Sequence, residues 1–135
     1  MSQSTIRILH LEDDPADALL VNDLFVQQGL AATVKAVSHK KEFLDALAGE
    51  KWDLVLSDYR LSGFNGLDAL KAVREKSATL PFILLTGNIG EQAAIETLKA
   101  GATDYVLKSY RERLVPAVRR AINESTERSR LLAAE

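Results

Sequence analysis

Apolar residues in this chain fall in short runs that alternate with stretches of helical spacing. Ile6 to Leu11 reads as a first strand, and Asp14-Pro15 then supplies an N-cap with a proline at the first helical position. Leu20, Val21, Leu24 and Phe25 keep helical spacing until Gly29, a helix stop. Ala32 to Val37 is a second strand, and Phe43, Leu44 and Leu47 mark a second helix that ends at Gly49. The run Leu54 to Leu56 suits a buried strand and is too short for a helix. Asn65-Gly66 opens a third helix carried by Leu67, Leu70 and Val73. Pro81 precedes Phe82 to Thr86, apolar enough to be buried on both faces. Ile95 and Leu98 mark a fourth helix closed by Gly101, and Tyr105 to Leu107 is a fifth strand. Leu114, Val115, Val118 and Ile122 begin a last helix, with Pro116 in its first turn, where a missing N–H costs nothing.

Five strands alternating with five helices imply right-handed crossovers and an α/β doubly wound parallel sheet. The common strand order for this count is 2-1-3-4-5, the flavodoxin-like arrangement. That order sets the carboxyl ends of strands one and three side by side, which is where such sheets bind ligands. Glu12, Asp13 and Asp58 should therefore converge.

Composition narrows the chemistry that can follow. At 135 residues the chain is expected to form one domain, with 47% hydrophobic and 27% charged residues and a formal net charge of −2. That balance argues against nucleic acid or an anionic membrane as a direct partner. With no cysteine there is neither a disulfide frame nor a thiolate metal site. The polar start and the lack of a long apolar run make a cytoplasmic protein the expectation.

Three converging carboxylates are costly, since two charges about 5 Å apart repel by roughly 3 kcal/mol at an effective dielectric of about 20. Such a cluster either raises a pKa or recruits a cation. An all-oxygen donor set favours Mg²⁺, which takes one or two carboxylates, waters and a substrate phosphate. Thr86 and Lys108 end the fourth and fifth strands at the same edge. A hydroxyl and an ammonium there offer donors and positive charge to a phosphoryl group. His10 reads as a core histidine, His39 as a loop residue and Asp14 as a helix cap.

Taken together, Glu12-Asp13, Asp58, Gly66, Thr86, the run Lys99 to Tyr105 and Lys108 resemble the receiver domain of two-component response regulators, over roughly Ile6 to Asn123. The resemblance implies a signalling phosphoacceptor rather than an enzyme acting on other molecules. Asp58 would take a phosphoryl group from a phosphohistidine on a sensor histidine kinase or a phosphotransfer protein. Asp13, Asp58 and the carbonyl oxygen of Arg60 would hold Mg²⁺, with Glu12 acting through water. Thr86 would bond the phosphoryl oxygen and Lys108 would pair with it. Thr86 and Tyr105 would form a switch that alters a protein-binding face.

The chain departs from the family pattern at three places. Ser62 stands where the family usually has proline, and Arg60 is a long cation two residues past the acceptor. Ser109 stands where the family has a proline after the lysine, joined through a cis bond. A cis bond before serine costs about 2.5–4 kcal/mol, and Tyr110 to Leu114 offers no obvious rigid clamp to impose it. The Lys108-Ser109 bond is therefore expected to be trans, with Lys108 reaching the site along a different path.

Beyond Asn123 the helical pattern runs on through Glu124 to Leu132, interrupted by Ser125 and Ser129. The expected division is a receiver domain at 1–123 and a helical extension or linker at 124–135. The output is then a downstream protein, or a further domain outside this sequence, and self-association as a homodimer stays open. The alternatives are an Mg²⁺-dependent phosphohydrolase with an aspartate nucleophile, a flavodoxin-like FMN carrier and an unphosphorylated docking module. The first would need an Asp-x-Asp motif on the first strand, which Glu12-Asp13-Asp14 does not supply. The second would need a Ser/Thr/Gly-rich phosphate cradle where this chain is acidic.

Overall fold

The structure is a computed structural model and describes residues 5–87 and 90–134. Five strands, β1 (Ile6–Leu11), β2 (Ala32–Val37), β3 (Leu54–Ser57), β4 (Phe82–Thr86) and β5 (Asp104–Leu107), form one parallel sheet in the order 2-1-3-4-5. Between and after them run α1 (Pro15–Gln27), α2 (Lys40–Gly49), α3 (Gly66–Lys76), α4 (Glu91–Lys99) and α5 (Leu114–Ala134). The doubly wound architecture read from the alternating pattern is the one observed. One feature had no periodic signal: a 3-10 segment, Lys108–Arg113, joins β5 to α5.

Local chemistry starts the helices where the sequence places them. Asp14 accepts a hydrogen bond from the Ala16 N–H at 2.9 Å, and Pro15 follows at the first helical position. Asn65 and Asp68 form a reciprocal capping box at the start of α3, with bonds of 2.9 and 3.1 Å. The long helix α5 does not break at Asn123 but continues to Ala134, where Leu131 and Leu132 are exposed.

Strand periodicity divides the core into two layers. Ile8, Leu54, Leu56, Ile83, Leu85 and Val106 face one side and pack with Val21 and Phe25 of α1 and Leu114, Val115 and Val118 of α5. Leu9, Leu11, Val55, Phe82 and Leu84 face the other side, against Phe43 and Leu47 of α2 and Leu70 and Val73 of α3. All of β3 and β4 is buried, as expected of central strands covered on both faces. Following the two-residue period past the strand ends, Glu12, Asp58 and Lys108 continue the α1/α5 face, while Thr86 continues the other. Among the described residues, no helix is long and apolar enough to cross a membrane.

Candidate functional site

The carboxyl ends of β1, β3 and β5, together with the first turn of α1, bring four acidic side chains and one lysine into a single cleft. Parallel pairing sets Leu11 opposite Ser57, so the residues that follow, Glu12 and Asp58, leave adjacent strands side by side. Carboxylate oxygens of Glu12, Asp13 and Asp58 all lie within 4.8 Å of one another. Glu12 and Asp58 are buried, whereas Asp13 is exposed.

Lys108 reaches this cluster from the 3-10 segment. Its Nζ donates to Glu12 at 2.8 Å, to Asp58 at 2.9 Å and to Asp17 at 2.7 Å. Three carboxylates use the three donors of the ammonium. Burial works against the charge on Lys108, but the bonds to Asp17, Asp58 and Glu12 outweigh it and raise its pKa above the ordinary 10.5. The carboxyls respond according to their depth. Burial pushes Glu12 up from the ordinary 4.5, against the pull of Lys108. Nearer the solvent, the Lys108 hydrogen bond holds Asp17 below its ordinary value.

The loop after β3 is built around Asp58. Ser57 Oγ donates to the Asp58 carbonyl at 2.7 Å, and the Tyr59 N–H donates to Asp58 Oδ1 at 2.7 Å. Arg60 pairs with Asn65 in an isolated antiparallel bridge that closes the loop, and the Gly66 N–H donates to the Tyr59 carbonyl at 2.7 Å. Gly66 is needed for its lack of a side chain. A methyl group there would stand 2.8 Å from the Asp58 carbonyl oxygen and 3.0 Å from Tyr59 Cα. On the other face Thr86 is buried at the end of β4, beside Leu107 in register, and Tyr105 packs half-buried against the α2/α3 core layer. The structure thus brings together Glu12, Asp13, Asp58 and Lys108, and sets Thr86 and Tyr105 on the neighbouring strands β4 and β5.

His10 lies beneath the cleft on β1, fully buried, and neither ring nitrogen has a partner among the described residues. Burial, helped by the nearby Lys108, lowers its pKa from 6.5 to about 4, so the ring is neutral. It is a core histidine, as its place in an apolar strand suggests.

Two participants were not legible in the sequence. Asp17 looks like an ordinary acid in the first turn of a helix, suited to the dipole. Arg111 looks like a surface cation in a charged connection. In the folded chain Arg111 donates to the Lys108 carbonyl and to Asp17, each at 3.0 Å. No peptide bond among the described residues is cis, so the Lys108-Ser109 bond is trans, as expected. The side-chain hydrogen bonds of Arg111 are of a kind that residue-type patterns do not reveal.

A doubly wound parallel sheet thus carries, at the carboxyl ends of its strands, an acidic cluster with a lysine bonded to it. Comparison with known proteins gives the family. The profile of the response regulator receiver domain matches residues 8–119, and the chain belongs to that family, the phosphoacceptor domains of two-component regulators. It is 30% identical over 116 residues to the transcriptional regulatory protein FixJ of Bradyrhizobium diazoefficiens, covering 85% of this chain and 56% of that protein. It is 31% identical over 118 residues to the DNA-binding transcriptional regulator NtrC of Escherichia coli (strain K12), covering 87% of this chain and 25% of NtrC. The chain therefore spans about half of FixJ and a quarter of NtrC. Crystal structures of full-length FixJ from B. japonicum superpose with a TM-score of 0.83 at 28% identity, covering 94% of this chain and 63% of that one.

Proposed function

We propose that Asp58 is the phosphoacceptor, that Lys108 and Thr86 bind the transferred group, and that Glu12, Asp13, Asp58 and the Arg60 carbonyl make an Mg²⁺ site. The observation that carries this reading is Lys108 Nζ at 2.9 Å from Asp58 Oδ2 inside a cluster of carboxylates. A carboxylate oxygen attacks the phosphorus of a phosphohistidine; the new O–P bond forms as the P–N bond breaks, and its electron pair leaves on the imidazole nitrogen. The protein's part in such a transfer is positioning and charge neutralisation. The clustered, hard oxygen donors fit Mg²⁺ in type and spacing. When bound, the ion supplies positive charge that offsets the carboxylates and the incoming phosphoryl oxygens.

Lys108 already carries its charge at the acceptor, so it can meet the phosphoryl group with little movement. Thr86, entering from the opposite face of the sheet, supplies a hydroxyl. Thr86 stands opposite Leu107 and Tyr105 opposite Leu84, so the two lie on paired strands one two-residue step apart. Movement of Thr86 toward a phosphoryl oxygen would vacate space for Tyr105 and so alter the surface formed by α4, β5 and α5.

The natural donor is a sensor histidine kinase or a phosphotransfer protein, and the chain is a switch rather than an enzyme acting on other substrates. On this reading the chain acts in the cytoplasm. Residues 1–123 make the receiver, and 124–135 serve as a helical extension that couples it to a downstream protein or an output domain. The test is labelling with acetyl phosphate in Mg²⁺, with Asp58→Asn as control. A stable, hydroxylamine-sensitive adduct on the natural chain and none on Asp58→Asn is the expected result. Equal labelling of both would refute the assignment.

A further inference from the structure

The proline that follows the lysine in the resembling family is a serine here, and that serine does not fix its own φ. The segment that carries Lys108 is a 3-10 turn interrupted at Tyr110, whose φ of −128° and ψ of 48° leave helical geometry. Such segments are weakly bonded internally. Yet Lys108 has to hold its ammonium against Asp58. Something outside the backbone must keep it there.

We propose that Arg111, working with Asp17, is a positioning residue that holds Lys108 at both ends. The guanidinium donates through Nη1 to the Lys108 carbonyl at 3.0 Å and through Nη2 to Asp17 Oδ1 at 3.0 Å. Asp17 Oδ2 then accepts from Lys108 Nζ at 2.7 Å. The contacts close a ring: lysine backbone, arginine, aspartate, lysine head group. Arg111 also keeps its Nε buried with no partner among the described residues, a cost that a solvated arginine would avoid. The two Nη bonds account for its acceptance of that cost. The ring joins two elements, since Asp17 lies on α1 while Lys108 and Arg111 share the 3-10 segment. Through Asp17 it ties both the lysine head group and the arginine of that segment to the frame.

The proposal rests on Asp58 being the acceptor, and two measurements keep the two ideas separable. The first is the rate of acetyl phosphate labelling in saturating Mg²⁺. Arg111→Ala should slow labelling about tenfold, because small misplacement of a charge-stabilising group costs rate steeply. In a Lys108→Ala background the same substitution should change the rate less than twofold, since Arg111 acts only through that lysine. Equal slowing in both backgrounds would mean a structural role and would overturn the proposal, as would a wild-type rate in Arg111→Ala. The second measurement is ¹⁵N NMR of the Lys108 ammonium in the unphosphorylated chain, where its hydrogen bonds slow proton exchange. Its signal should broaden or vanish in Arg111→Ala and in Asp17→Asn; persistence in both would overturn the clamp. If the natural chain takes no label while the ammonium signal responds as expected, the acceptor assignment fails and the clamp stands as geometry.

Discussion

The substitution Gly66→Ala sets two effects of opposite sign against each other. Gly66 opens α3, and alanine there is favoured by helix propensity by at most about 1 kcal/mol, less at a helix end. Against that, the added methyl would lie 2.8 Å from the Asp58 carbonyl oxygen, 2.8 Å from Leu84 Cδ1 and 3.0 Å from Tyr59 Cα. Two of those atoms are backbone, and Leu84 is fully buried, so little can move aside. Overpacking of this kind costs about 1–3 kcal/mol, so the clash should win. The expected net loss is about 1–2 kcal/mol, a fall in the unfolding temperature of roughly 3–8 °C for a chain of this size. Because the displaced atom belongs to Asp58, the proposed acceptor, labelling there should also slow, by about tenfold or more. The comparison is Gly49→Ala, at the end of α2, where a methyl meets nothing within 4 Å. That change should stabilise by roughly 0.5–1 kcal/mol and leave labelling untouched. Thermal and urea unfolding followed by circular dichroism measure both variants. If Gly66→Ala were as stable as Gly49→Ala, with an unchanged labelling rate, the close approach of α3 to the Asp58-Tyr59 backbone would be wrong.

Acid should destabilise the chain through His10. Its folded pKa of about 4 lies below the ordinary 6.5, so between those values the unfolded chain binds a proton that the folded chain refuses. Stability from this source is present above pH 6.5 and is lost as the pH falls toward 4, amounting to roughly 2 kcal/mol between about pH 7 and pH 5. Urea unfolding of His10→Leu should lack that slope, and an undiminished slope would contradict a buried neutral ring. Labelling of Asp58 should require Mg²⁺ and disappear in excess chelator or after Asp13→Ala; persistence in either case would remove the metal from the reading. Lys108→Ala should unfold near the natural chain in Mg²⁺ but fail to switch. In chelator it should lose about 1–3 kcal/mol, because three carboxylates are then left without their cation. An equal loss with and without Mg²⁺ would show that Lys108 supports the core rather than the site.

Much of the fold could be read directly along the chain. Ile6–Leu11, Leu54–Ser57 and Phe82–Thr86 carry short apolar runs, and Asp14-Pro15 and Asn65-Gly66 mark helix starts through local hydrogen bonding that a sequence encodes within a few residues. Strand order followed from connection rules, and it was the order that predicted the meeting of Glu12, Asp13 and Asp58. In the folded chain the period of two carries Glu12, Asp58 and Lys108 to one face, because residues past a strand end inherit its alternation. What only the tertiary structure decided was how that lysine is held. Asp17 and Arg111 lie 94 positions apart, and each has an ordinary local explanation, a helix-dipole acid and a solvated cation. Neither breaks a pattern, so neither signals a role. Their pairing depends on α1 and the turn before α5 packing on the same face of the sheet, and a contact created by packing leaves no mark on the local sequence of either partner.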